Sequence, residues 1–167
     1  MINRRAFIAS GGAAVVATPA TARVAAGQNI DYAYEVTRSE AEWLERLTDE
    51  EFVILREGFT EARKSSPLWE ETRPGAYLCK GCDLKAYDGR WKTVLDIGWV
   101  FFLQSEPGAI MMNIDGPTPD YGSMAQGMDA VTEVHCRRCG SHFGHLLIVQ
   151  GLMRHCINGA SLTFRPI

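Results

Sequence analysis

The sequence predicts a mainly β domain of antiparallel sheet with a helical N-terminal lead, and three observations predict it. Beyond residue 74 the chain breaks into short runs rich in β-branched and aromatic residues: "AYLC", "WKTVLD", "WVFFL", "AIMMNI", "TEVHC", "HLLIV" and "SLTFR". Gly, Pro and Asp punctuate these runs, which is the rhythm of short strands joined by turns. Ahead of them, "SEAEWLERL" and "TDEEFVILREG" each open on a capping box, Ser39 with Glu42 and Thr48 with Glu51, whose hydroxyl and carboxylate satisfy amides left unpaired at a helix start. Two short helices are expected there, the second stopped by Gly58.

The elements follow in chain order. "MINRRAFIASGGAAVVATPATARVAA" sets Arg4 and Arg5 before a weakly apolar run and a small-residue cleavage zone, the layout of a twin-arginine export signal. That run is far shorter than the roughly 20 residues of a membrane span, so it reads as an address and no membrane anchor is expected. Residues 1–26 are therefore expected to be the signal, cut after Ala26 or alternatively Ala22, and the protein periplasmic. Residues 27–46 form the helical lead and residues 47–167 the folded domain, enough for one hydrophobic core. Losing Arg4, Arg5 and Arg23 and no acid takes the formal charge from -3 to -6. A basic footprint is absent, which argues against nucleic acid as a partner. The stretch "GPTPDYGSMAQGMDA" is too long and polar for a hairpin turn and reads as a surface loop.

The five cysteines divide into two C-x-x-C pairs and one remainder: Cys79 with Cys82 in "CKGC", Cys136 with Cys139 in "CRRC", and Cys156. Two residues between cysteines let both thiolates turn toward one ion, and two such knuckles supply the four soft ligands of a tetrahedral structural zinc. Gly81 and Gly140 lie where a tight knuckle can need positive φ. Two disulfides are the competing reading in an oxidising compartment.

Cys156 sits among polar residues in "RHCINGAS", with "SHFGH" placing His142 and His145 three apart just past a knuckle. In a strand Arg154, Cys156 and Asn158 share one face, and Arg154, His155 and Asn158 are groups that can lower a thiol pKa. A lone cysteine is often a small buried hydrophobe; a thiol together with a cation and two imidazoles points instead to activated-thiolate chemistry.

"LTDEEFVILREG", Thr60-Glu61, "GAYLCKGC", Gly98-Trp99, "EVHCRRCGSHFGH" and "RHCINGASLTF" together resemble the B-type methionine sulfoxide reductases, from about Leu47 to Phe164. The resemblance implies two small antiparallel sheets, a structural zinc held by Cys79, Cys82, Cys136 and Cys139, and reduction of methionine-R-sulfoxide. It makes Cys156 the nucleophile that becomes a sulfenic acid, Arg154 and Asn158 its electrostatic setting, and His142 and His145 the groups that hold and protonate the sulfoxide oxygen. Trp99 is then the ring against which the substrate methyl rests, with Phe101 beside it in the substrate site. The chain departs from the family in four places: "GWVFF" for "GWPSF", "RHC" for "RYC", "ARKSS" in place of the "PPF" stretch, and "IVQG" where an acid precedes glycine. It also lacks the second cysteine that many members carry before Gly-Trp, which implies regeneration by an outside thiol, a thioredoxin-like periplasmic protein. The implied substrate is oxidised methionine, free or in envelope proteins. The competing reading is a catalytically degenerate zinc-binding interaction module.

Overall fold

The computed structural model describes residues 32–116 and 130–167; the export signal and all but the ends of the polar loop lie outside them. Ser39 Oγ accepts the Glu42 N–H while Glu42 reaches back to the Ser39 N–H, opening α1 (Glu40–Leu44), and Thr48 with Glu51 does the same for α2 (Asp49–Glu57). Each such cap contributes about 1 kcal/mol. Helix α1 is shorter than its sequence suggested, ending once Trp43 is buried.

The strands described are β1 (Gly75–Cys79), β2 (Lys85–Asp88), β3 (Lys92–Thr93), β4 (Val100–Phe102), β5 (Ile110–Asp115), β6 (Val131–Cys136), β7 (His142–Val149), β8 (Leu152–Ile157) and β9 (Leu162–Pro166). They form two antiparallel sheets, one of order β2-β1-β9 and one of order β3-β4-β8-β7-β6-β5, as the resemblance implied. Strand β2 was missed in the sequence because only Ala86 and Tyr87 of "KAYD" are buried. Its charged ends pair with each other, Lys85 Nζ to Asp88 Oδ2 at 2.8 Å.

The main core lies between the sheets and under the helices. Trp43, Ile54 and Leu55 pack there with Tyr77 and Tyr87 of the small sheet and with Phe102, Val134, Phe143 and Ile157 of the large one. Tyr87 stacks on Phe102 with ring centroids 4.3 Å apart, which fixes the sheets face to face. Strands alternate their side chains between faces, so the large sheet carries a second, smaller cluster on its other face: Leu95, Trp99, Phe101, Val131, Leu147, Val149 and Cys156. The unassigned thiol lies in that cluster.

Candidate active site

The four paired cysteines meet where the sheets join. Cys79 and Cys82 lie on the turn from β1 to β2, and Cys136 and Cys139 on the turn from β6 to β7. All four sulfurs are buried and lie within 4.8 Å of one another, a cluster that could hold a metal ion. Cys79 Sγ is 3.6 Å from Cys139 Sγ, and Cys82 Sγ is 3.6 Å from Cys136 Sγ. Thiolates about 2.3 Å from a central ion stand about 3.8 Å apart at the corners of a tetrahedron, whereas a disulfide needs about 2.05 Å. The spacing is that of ligands. Arg56 is buried over the cluster and donates to the Cys139 carbonyl at 3.2 Å; burial pushes its pKa down while Cys139 and Cys79 work to hold its charge. A buried cation suits four thiolates around a divalent ion, whose net charge is negative. One expectation is corrected here. The left-handed residues of the knuckles are Asp83 (φ 61) and Gly140 (φ 70), not Gly81. Gly81 is required for room, since a Cβ there would stand 2.6 Å from Ser141 Oγ.

The second cluster is built from one row across the large sheet. Cys156 on β8 faces Phe101 on β4 and His145 on β7, and His145 in turn faces Glu133 on β6. Directly opposed residues share a face, with Cβ atoms about 5 Å apart. His142 and His145 would point to opposite faces of a regular strand, yet their rings lie 5.3 Å apart. The cause is a bulge: Val134 faces Gly144 and His135 faces His142, leaving Phe143 as the extra residue. Gly144 makes the bulge possible. Its φ is +153, and a Cβ there would collide with the Cys156 carbonyl oxygen, so only glycine lets β7 approach β8 so closely.

Each imidazole has a carboxylate. His142 Nδ1 lies 2.6 Å from Glu133 Oε1, both residues buried, and His145 Nε2 lies 3.0 Å from Asp115 Oδ2 at the end of β5. Burial alone would raise the Glu133 carboxyl, but His135 and His142 hold it at about 2. Burial also pushes His142 below its ordinary value, against the pull of Glu133. Glu133 therefore keeps the negative charge and neutral His142 donates to it from Nδ1. This leaves His142 Nε2 a buried acceptor with no partner among the described residues. The hydrogen bond to His145 lowers the Asp115 carboxyl.

The thiol itself is 1% exposed, and burial pushes its pKa above the ordinary range, with Glu61 adding to the rise and Arg63 opposing it. The expectation that Arg154, His155 and Asn158 lower it is not met. Arg154 shares the face of Cys156, but its guanidinium donates to the Val149 carbonyl at 3.2 Å and to Thr93 Oγ1 at 3.0 Å. Asn158 lies past the end of β8 and acts as a brace, accepting from the Glu61 N–H at 2.9 Å and donating to the Phe143 carbonyl at 3.0 Å. His155 faces the main core beside Tyr87, where burial lowers it to about 4. Trp99 and Phe101 do join Cys156 in one apolar cluster. Four further residues, Glu133, Asp115, Glu61 and Arg63, had no site role assigned from the sequence, although Glu61 and Glu133 lie within the motifs that carry the resemblance. A signal for Glu133 was present, an acid inside the strand run "TEVHC"; none existed for Asp115, which reaches His145 only through sheet pairing. A groove of about 630 Å³ between α2 and β9 is lined by Glu61 but by none of Cys156, His142, His145, Trp99 and Phe101, and is set apart from this chemistry.

Residues 47–166 match the SelR domain. The chain is 36% identical over 138 residues to a peptide methionine sulfoxide reductase MsrB of Agrobacterium fabrum, a match covering 80% of this chain and 95% of that protein. It is 33% identical over 136 residues to the Leptospira interrogans protein of the same name, covering 79% and 97%. With that of Leifsonia xyli it shares 32% identity over 139 residues, covering 80% and 93%.

Proposed function

The chain belongs to the SelR family, and on that footing we propose that it reduces methionine-R-sulfoxide to methionine with Cys156 as the nucleophile. One observation carries the assignment to Cys156: its place in a row with Phe101, His145 and Glu133, in an apolar cluster with Trp99. The bond from oxygen to the methionine sulfur breaks and a bond from oxygen to Cys156 sulfur forms. Methionine sulfur gains two electrons, and Cys156 leaves as a sulfenic acid. The thiol starts protonated, so its proton has to move as the sulfoxide oxygen gathers charge. His142 is equipped to carry it: Nε2 accepts, Glu133 stabilises the resulting imidazolium, and the proton passes on to the oxygen. His145, held by Asp115, presents a second imidazole on the same side. Trp99 and Phe101 supply the apolar wall for the methyl and thioether carbons. Arg154 and Asn158 serve by fixing the edges of the site rather than by charging the thiol.

We infer that Cys79, Cys82, Cys136 and Cys139 hold zinc. Four thiolates leave no open coordination position, so the ion would tie the two sheets together and take no part in the reaction. The other four of the chain's five cysteines being committed to that cluster, return of Cys156 to the thiol is assigned to an outside dithiol of the thioredoxin kind, which becomes a disulfide and releases the oxygen as water. Paired arginines at Arg4 and Arg5 support export and a substrate among oxidised envelope proteins. Arg4→Lys with Arg5→Lys should stop accumulation outside the cytoplasm, and undiminished export would refute that location.

The assignment of Cys156 is tested by Cys156→Ser in a single-turnover assay with a methionine-R-sulfoxide peptide. Methionine formation should vanish while metal content and fold remain; continued turnover would remove Cys156 from the mechanism.

A further inference from the structure

The segment after α2 places a cation beside the reaction site. Glu61 is fixed on three sides: its N–H donates to Asn158 Oδ1 at 2.9 Å, its carboxylate accepts from Gly159 N–H at 2.6 Å and Ala160 N–H at 2.9 Å, and its carbonyl accepts from Trp99 Nε1 at 3.1 Å. Lys64 is fixed as well. Its N–H donates to the Gly98 carbonyl at 2.8 Å, its backbone turns left-handed at φ 63, and its ammonium pairs with Asp96 at 2.5 Å. Arg63 is held between these anchors. Its guanidinium lies over the Trp99 ring, 4.9 Å from the centroid, while the residue stays exposed. Among the described residues Arg63 makes no ion pair, in contrast to Lys64. A guanidinium held over an indole by its charge keeps N–H donors available for a planar anion.

We propose that Arg63 determines substrate preference at this site by binding a carboxylate that lies next to the sulfoxide. This rests on the reductase reading. Trp99 belongs to the cluster that contains Cys156, so a thioether on that ring brings the groups next to it in the chain within reach of Arg63. The same position lets Arg63 pull the thiol pKa down against burial and Glu61. The carboxylate has two sources, an Asp or Glu side chain adjacent to the oxidised methionine, or the α-carboxylate of the oxidised methionine itself when it is free or ends a chain.

The test uses the full chain carrying Cys156→Ser and four fluorescent methionine-R-sulfoxide peptides read by anisotropy. The sulfoxide is followed by Asp, Asn or Lys in amidated peptides, or ends its peptide as a free carboxylate. The Asp peptide, the free-carboxylate peptide or both should bind about fivefold more tightly than the Asn peptide, the upper size of one solvent-exposed charge pair, with Lys weakest and added salt narrowing the spread. Arg63→Gln should collapse the ratio toward one, and Arg63→Lys should retain part of it. Which carboxylate gains tells side-chain from terminal recognition. Equal binding of the Asp, Asn, Lys and free-carboxylate peptides, failure of every peptide to bind, or a ratio untouched by Arg63→Gln would overturn the proposal. Turnover of the Asn peptide by protein with Cys156 intact is scored separately: methionine formed alongside charge-indifferent binding overturns only the role of Arg63, whereas no methionine strikes the reductase reading.

Discussion

Cys156 is a buried thiol whose reactivity has to be switched on by what enters the site. With burial raising its pKa, the thiolate fraction at any lower pH grows tenfold for each pH unit. Labelling of Cys156 by iodoacetamide in substrate-free protein should climb about tenfold per unit from about pH 6 to about pH 9 without a plateau. A plateau near neutrality would mean a pre-formed thiolate and contradict the buried environment. The residues themselves were legible: Cys156, His142, His145 and Trp99 stand out by type and spacing. The charge state was not, because it depends on burial by neighbouring strands and on Glu61 and Arg63, while the nearby Arg154 turns instead to Val149 and Thr93 on other strands. Glu133 illustrates the same limit. An acid in an apolar run announces a buried partner, but only the bulge in β7, which turns His142 onto the face of Glu133, shows that the partner is His142.

Strand β7 turns a spacing into a site. A three-residue separation brings two imidazoles together only because Phe143 is bulged, and the bulge depends on Gly144 having no Cβ where β8 passes. Gly144→Ala should cost about 3 kcal/mol of stability, through positive φ and a collision that no rotamer relieves. A denaturant midpoint within experimental error of the parent would show that β7 and β8 are not held so closely. The helices were legible from local chemistry alone, since a capping box needs only four consecutive residues. Most strands showed by their apolar runs, whereas the short edge strand β2, the mixed-polarity β8 and the bulge lack such a run and show only in the pairing with their neighbours.

Across the molecule, the cysteine cluster adds a second link between the two sheets beside the core they share, because each sheet contributes one knuckle. Removing one ligand therefore reaches both sheets. Cys136→Ser should lose metal and cooperative folding together, read by metal analysis and thermal unfolding of the same sample; a stable, soluble, metal-free variant would show that the fold does not depend on the ion. Doublets of C-x-x-C made this link legible in the sequence, although the buried Arg56 that complements it was not.

The most direct measurement is a single turnover of the reduced protein with separated R and S methionine sulfoxide peptides, trapping Cys156 with dimedone for mass spectrometry. Methionine from the R epimer alone, appearing in step with labelled Cys156, is the expected result. Methionine without label on Cys156, or no methionine from either epimer in folded, metal-loaded protein, would contradict the account.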